Sequence, residues 1–282
     1  TASDPALRSL PYWESLEPVP PLNEQESWPW PTRPRSDRCT AGLDVVNTAL
    51  PYFKRMHEMT TDHVHEEIQL LALDMSTMLI ETMAPMPSWR DYYLAHDQTP
   101  HYRYLRRVLQ VLQWARGGRR WVLKSPQHIE QFPAVLDVFP DATFVVTHRD
   151  PVAVTQSMST MITYACWMAL DPVEPGRIAA YWSDRIETML RRCVEQRSVL
   201  PDDRTIDVRF DEFMADDVAM IERIYDVADQ PFDDGVRAAF GGYMANHPRG
   251  RHGIVLHDPD QLGLDLEERE RALRFYRDRF GV

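Results

Sequence analysis

Two short apolar runs, each closed by a basic residue and a proline, constrain this fold more than any other feature of the chain. Arg120-Trp-Val-Leu-Lys124 runs into Ser125-Pro126, and Thr143-Phe-Val-Val-Thr147 runs into His148-Arg149-Asp150-Pro151. Apolar runs this short, rich in β-branched residues, read as buried strands. Ser-Pro and Asp-Pro then supply an N-cap and a proline at the first helical position. The helix opened at Ser125-Pro126 is expected to reach about Val138, with Pro133 inside it kinking or shortening it. A long helix over Pro175–Gln196 leads to a third strand, Thr205–Phe210, and a further helix begins at Asp211. Such alternation predicts an α/β fold, a parallel central sheet flanked by helices. Ligands of such sheets bind at the carboxyl ends of the strands.

The first half of the chain is patterned differently. Thr1–Trp13 ends in a short apolar stretch expected to form a strand. Between Pro18 and Pro34 prolines recur too often for regular structure, and Trp28 and Trp30 suggest an arm packed on the body. Helical periodicity dominates from about Thr40 to Met83 and is clearest over His63–Met83, where Val64, Ile68, Leu71, Met75, Met78 and Leu79 recur. Another helix is expected over roughly Tyr102–Ala115, ending at Gly117-Gly118. The whole is therefore helix-rich.

With 282 residues, 44% of them hydrophobic and 26% charged, the chain has the profile of one large globular domain. Its net charge of −12 argues against nucleic acid as a partner. A few arginines in one cleft can still hold a small anion. The three cysteines, Cys39, Cys166 and Cys193, form no disulfide framework and point to a reducing, cytoplasmic setting. No apolar run approaches a membrane span. A homo-oligomer is compatible with the sequence, and no cluster has metal-ligand spacing.

The chemistry sits at two strand ends. Lys124 stands where a strand stops and a helix begins, so its ammonium and the helix N-terminus together suit an anion; a solvated surface lysine is the plain alternative. Arg149 leaves the next strand just before a helix, and its planar fork suits a phosphate. Ser157, eight positions on, is placed to add a hydroxyl. Here the plain alternative is an Arg149 paired with a neighbouring carboxylate and a Ser157 that is only a helix residue.

Strand-Arg149-Asp-Pro151 with Ser157 at that spacing resembles the 3'-phosphate site of sulfotransferases that use 3'-phosphoadenosine 5'-phosphosulfate. Leu-Lys124-Ser125, with Phe139-Pro-Asp-Ala142 between, is similar to the tyrosine-protein and bacterial carbohydrate or lipid members. The resemblance implies the P-loop nucleotide-kinase-like sulfotransferase fold, a sulfuryl-stabilising role for Lys124 and a donor contact for Ser125. Val208-Arg-Phe210 resembles the family strand whose terminal aromatic stacks on adenine. His247-Pro-Arg249-Gly250-Arg251-His252-Gly253 looks like the basic loop that closes over the 3'-phosphate. It implies donor contacts for Arg249, Gly250, Arg251 and His252.

Asp4-Pro through Trp13-Glu14 is similar to the stretch in which relatives carry a catalytic glutamate, which makes Glu14 the first candidate for the base. His57, in Met56-His-Glu-Met59, is the second. His63 and His65 have the wrong spacing to share a helix face and read as polar surface. The helical region 40–117 is expected to shape the pocket for a small-molecule, lipid or carbohydrate acceptor, and the family needs no metal. The glycine-rich loop that cradles the 5'-phosphosulfate in relatives is not in these residues, so the chain is expected to begin partway into a single domain, without its first strand. Two other readings stay open: a P-loop phosphotransferase, and an inactive relative that only binds nucleotide.

Overall fold

The computed structural model describes residues 4–248 and 250–282, and these gather into two compact units. One holds residues up to Gln127 together with His252–Ile254, and the other holds His128–Arg251 and Val255–Val282.

In the first unit two strand pairs hold the chain ends of several helices. Strand β1 (Leu7–Arg8) runs parallel to β4 (Arg120–Trp121), and β2 (Leu10–Pro11) runs antiparallel to β3 (Val64–His65). The helices are α1 (Tyr12–Leu16), α2 (Arg33–Ala49), α3 (Ile68–Leu73), α4 (Pro87–Ala95) and α5 (Thr99–Arg116). On α5 the residues Tyr102, Leu105, Leu109 and Leu112 are buried, a stripe at helical spacing that faces the core. Gly117 caps α5, and Gly118 then passes so close to Arg8 that a Cβ there would lie 2.6 Å from its Cδ. Its φ of +104° also excludes most side chains.

The second unit is built on β5 (Phe144–His148) and β6 (Thr205–Arg209), parallel and in register from Phe144↔Thr205 to His148↔Arg209. Its helices are α6 (Phe132–Val138), α7 (Pro151–Ala165), α8 (Pro175–Gln196), α9 (Phe210–Ala215), α10 (Asp217–Val227), α11 (Asp234–Asn246), α12 (Pro259–Leu262) and α13 (Leu266–Phe280). The bounds of α8 and the Asp150-Pro151 start of α7 are those expected from sequence. The Asp150 carboxylate accepts from the backbone N–H groups of Val152 and Ala153, which leaves α7 a capped, proline-primed N-terminus.

Five expectations are corrected. No continuous helix spans His63–Met83: β3, the six-residue α3 and a 3₁₀ turn over Met78–Thr82 share it. Met75, at a φ of 51°, turns the chain after α3, and Thr77 caps the following turn. The proline-rich arm is not wholly irregular, because α2 begins at Arg33 with Pro34 in its first turn. The strand expected over Arg120–Lys124 pairs only at Arg120–Trp121. The helix expected from Ser125-Pro126 is split: a 3₁₀ turn covers Pro126–Glu130, and Pro133 opens α6 rather than kinking it. Finally, β5 is buried on one face only, with Phe144, Val146 and His148 in and Val145 and Thr147 out.

Candidate active site

In the first unit the residues of interest gather around Lys124. The Lys124 backbone N–H donates to Glu67 Oε2 at 2.9 Å, and Glu67 is fully buried. This fixes the main chain just before Ser125 while the lysine side chain stays 73% exposed and bonds to Glu66 through its ammonium. The Ser125 hydroxyl is buried and makes no hydrogen bond among the described residues. A buried hydroxyl without a partner is costly unless a ligand or water completes it.

Beside Lys124 three imidazoles face one another. The ring centroids of His57, His63 and His65 lie 6.0, 6.1 and 5.9 Å apart, pair by pair, with planes inclined by 60–68°. Sequence reasoning set His63 and His65 aside as helix surface. His65 lies instead in β3 and His63 immediately before it, and both rings stand near that of His57, with exposed Val64 between them in sequence. The His-Val-His alternation was the available signal. Burial, His63 and the Lys124 cation lower the His57 pKa to about 4. Burial, the two other rings and Lys124 lower that of His65 to about 3. His63 is lowered by burial too, against the opposing pull of Glu58 and Glu66. Glu58 is also 3.0 Å from His252 Nε2, so His252 is engaged in this unit.

Glu14, expected at a strand end, lies on α1 and is fully buried. Both its carboxylate oxygens accept from Arg8 Nη2, at 3.0 and 3.1 Å, and Oε1 accepts from Arg116 as well at 3.1 Å. The arginines in turn rest on aromatic rings, Arg8 on Trp121 and Arg116 on Trp13.

In the second unit Arg149 sits at the carboxyl end of β5, exposed, with its guanidinium 4.7 Å from the Phe210 ring centroid. Among the described residues it has no carboxylate partner, so the plain alternative of an ion-paired arginine is not what is found. Phe210 opens α9 rather than ending a strand. Ser157 is half-buried on α7. Gly250 adopts a φ of 70° in the turn that carries exposed Arg251, and Arg249 lies outside the described residues.

Directly before Arg149, His148 is wholly buried. It contacts Tyr276 Oη at 2.7 Å through Nδ1 and Asp207 Oδ1 at 2.8 Å through Nε2, and it stacks on Phe280. Burial raises the Asp207 pKa, but hydrogen bonds from His148 and from the two-pronged Arg197 outweigh it and hold it well below the usual range. A depressed carboxylate stabilises the fold above its unfolded-state pKa and loses that contribution as pH falls through its folded-state pKa. Thermal unfolding should therefore show stability falling below about pH 4, the ordinary aspartate value, and Asp207→Asn should flatten that dependence; an unchanged slope would assign the acid loss elsewhere.

Cys39, Cys166 and Cys193 are all buried, and none is joined in a disulfide. Among the described residues no group of His, Cys, Asp or Glu is arranged to hold a metal ion, and no helix is long and apolar enough to cross a membrane.

A sulfotransferase family model matches residues 2–234. The chain is similar to the crystal structure of sulfotransferase STF9 from Mycobacterium avium, at 26% identity and a TM-score of 0.83, covering 100% of this chain and 72% of that one. It also shares the fold of sulfotransferase STF1 from Mycobacterium tuberculosis H37Rv, at 24% identity and a TM-score of 0.76, over 96% of this chain and 70% of that one. No curated protein sequence matches.

Proposed function

Since this chain belongs to the sulfotransferase family, we propose that it moves a sulfuryl group from 3'-phosphoadenosine 5'-phosphosulfate to a hydroxyl of a small-molecule, carbohydrate or lipid acceptor. Family membership removes the phosphotransferase reading. The donor is the finer step, and Arg149 is the observation that carries it. An arginine with no carboxylate partner among the described residues, at the end of a parallel strand and the start of a capped 15-residue helix, is a ready anion site. Ser157 on the same helix supplies a hydroxyl, and Arg251 and Gly250 of the late turn, with Arg249, are the further candidates for the 3'-phosphate. Phe210 offers the ring for the adenine.

At the reacting end Lys124 is assigned to the sulfuryl oxygens and Ser125, with its uncommitted hydroxyl, to the donor phosphate. His57 is a better-supported base than Glu14. Glu14 is wholly buried and accepts three hydrogen bonds from two arginines, whereas His57 is half-buried, neutral at ordinary pH and beside Lys124. A neutral imidazole is in the form that accepts a proton.

Charge-assisted hydrogen bonds contribute roughly 1.5–3 kcal/mol each. Arg149→Ala should therefore weaken binding of 3',5'-bisphosphoadenosine by about one to two orders of magnitude, read by calorimetry against 5'-AMP. Equal affinity of the unaltered protein for the two nucleotides would show that no 3'-phosphate site exists.

A further inference from the structure

The histidine cluster carries an inference that deepens the proposed sulfuryl transfer and rests on it. We infer that His57, His63 and His65 work as one proton-accepting group, which takes the acceptor hydroxyl proton at His57 and releases it to solvent by way of His63.

The arrangement of the rings is the first support. Each centroid is about equally far from the other two, so the cluster is a triangle rather than a chance pair. His65 Nε2 shares a hydrogen bond with the Gln69 amide at 2.6 Å, while its Nδ1 is buried without a partner among the described residues. His57 Nδ1 is also buried, with no hydrogen-bond partner among the described residues. Two orphaned imidazole nitrogens in one cluster are expensive to maintain for folding alone.

Charge gives the route its direction. The groups acting on the cluster are Lys124, Glu58 and Glu66, with Tyr12 packed on His65 and Phe53 on His57. Lys124 disfavours protonation of all three rings. Only His63 has carboxylates pulling the other way, Glu58 and Glu66. A proton received at His57 therefore moves toward His63. Glu58 is itself 3.0 Å from the half-buried His252, and both side chains are partly open to solvent.

The chemistry balances without any further reactant. A lone pair of the acceptor oxygen forms the new O–S bond, and the S–O bond to the 5'-phosphate breaks with its electrons staying on the phosphate oxygen. The acceptor proton passes to His57, then His63, then water. Lys124 also links base to donor. An anionic sulfuryl group at Lys124 offsets the cation that depresses the imidazoles, so the cluster becomes more basic when the donor is bound.

The test uses the full-length protein with the sulfuryl donor and a panel of alcohols. His57→Gln should lower kcat about a hundredfold, the low end of general-base effects. His63→Gln should lower kcat about tenfold and move the acid limb of the pH–rate profile, with KM for the donor unchanged. Ring-proton resonances of the unaltered protein give a readout independent of variant folding. They should show His57 and His65 titrating well below 6.5, and shifting upward when sulfate and 3',5'-bisphosphoadenosine are added. Independent titration of all three near 6.5, or a His63→Gln enzyme with unaltered kcat and acid limb, overturns the relay. No transfer and no nucleotide binding by the unaltered protein takes down the sulfuryl-transfer reading along with it. Normal transfer with an indifferent His63→Gln takes down the relay alone.

Discussion

Lys124→Ala is expected to lower turnover by about 10²–10³ while leaving affinity for the product nucleotide nearly intact. The sulfuryl group carries its developing negative charge on oxygens that must be met by a cation, and removing one such preorganised donor typically costs about that factor. The product, 3',5'-bisphosphoadenosine, has no sulfuryl group, so it does not report the loss. The local structure makes the variant clean. The side chain is mostly exposed and, among the described residues, pairs with Glu66, an ion pair of the kind that contributes about 0–1 kcal/mol. The hydrogen bond that positions this segment comes from the Lys124 backbone to Glu67, and alanine keeps it. Turnover by mass spectrometry and nucleotide affinity by calorimetry separate the two effects; equal losses in both would make Lys124 a ground-state binding residue.

Sequence reasoning succeeded where the determinant was local. Asp150-Pro151 caps and primes α7 with its own side chain and ring, so the placement of Arg149 ahead of a helix followed from neighbouring residues. The bounds of α8 were equally legible in one long amphipathic period. It failed where contacts are distant. Lys124 meets Glu66 across 58 positions, and Arg116 meets Glu14 across 102, so nothing near either carboxylate announces its partner. His63–Met83 misled for a different reason. Its apolar residues fit a helical period, but β3 pairing with Leu10 and Pro11 and the turn at Met75 override that weak local preference. His63 and His65 were therefore assigned to the wrong geometry, and their convergence on His57 went unseen.

The largest stability effect is expected at Arg185→Ala. Arg185, on α8, and Glu130, at the end of the 3₁₀ turn that begins at Pro126, meet through two parallel hydrogen bonds of 2.7 and 2.6 Å. Neither side chain has any exposed surface. Truncating the arginine leaves a carboxylate buried without its cation, which typically costs about 3–5 kcal/mol. The pair as a whole is worth much less than that, because burying both charges already offsets most of their attraction. Arg185→Met combined with Glu130→Leu should therefore recover most of the loss, since apolar groups of similar volume need no compensation. Urea unfolding of the single and double variants measures the difference directly. A single variant that loses under about 1 kcal/mol would mean that water reaches Glu130. A double variant as unstable as the single would mean instead that the two-pronged geometry, which ties α8 to Glu130, is itself what the fold requires.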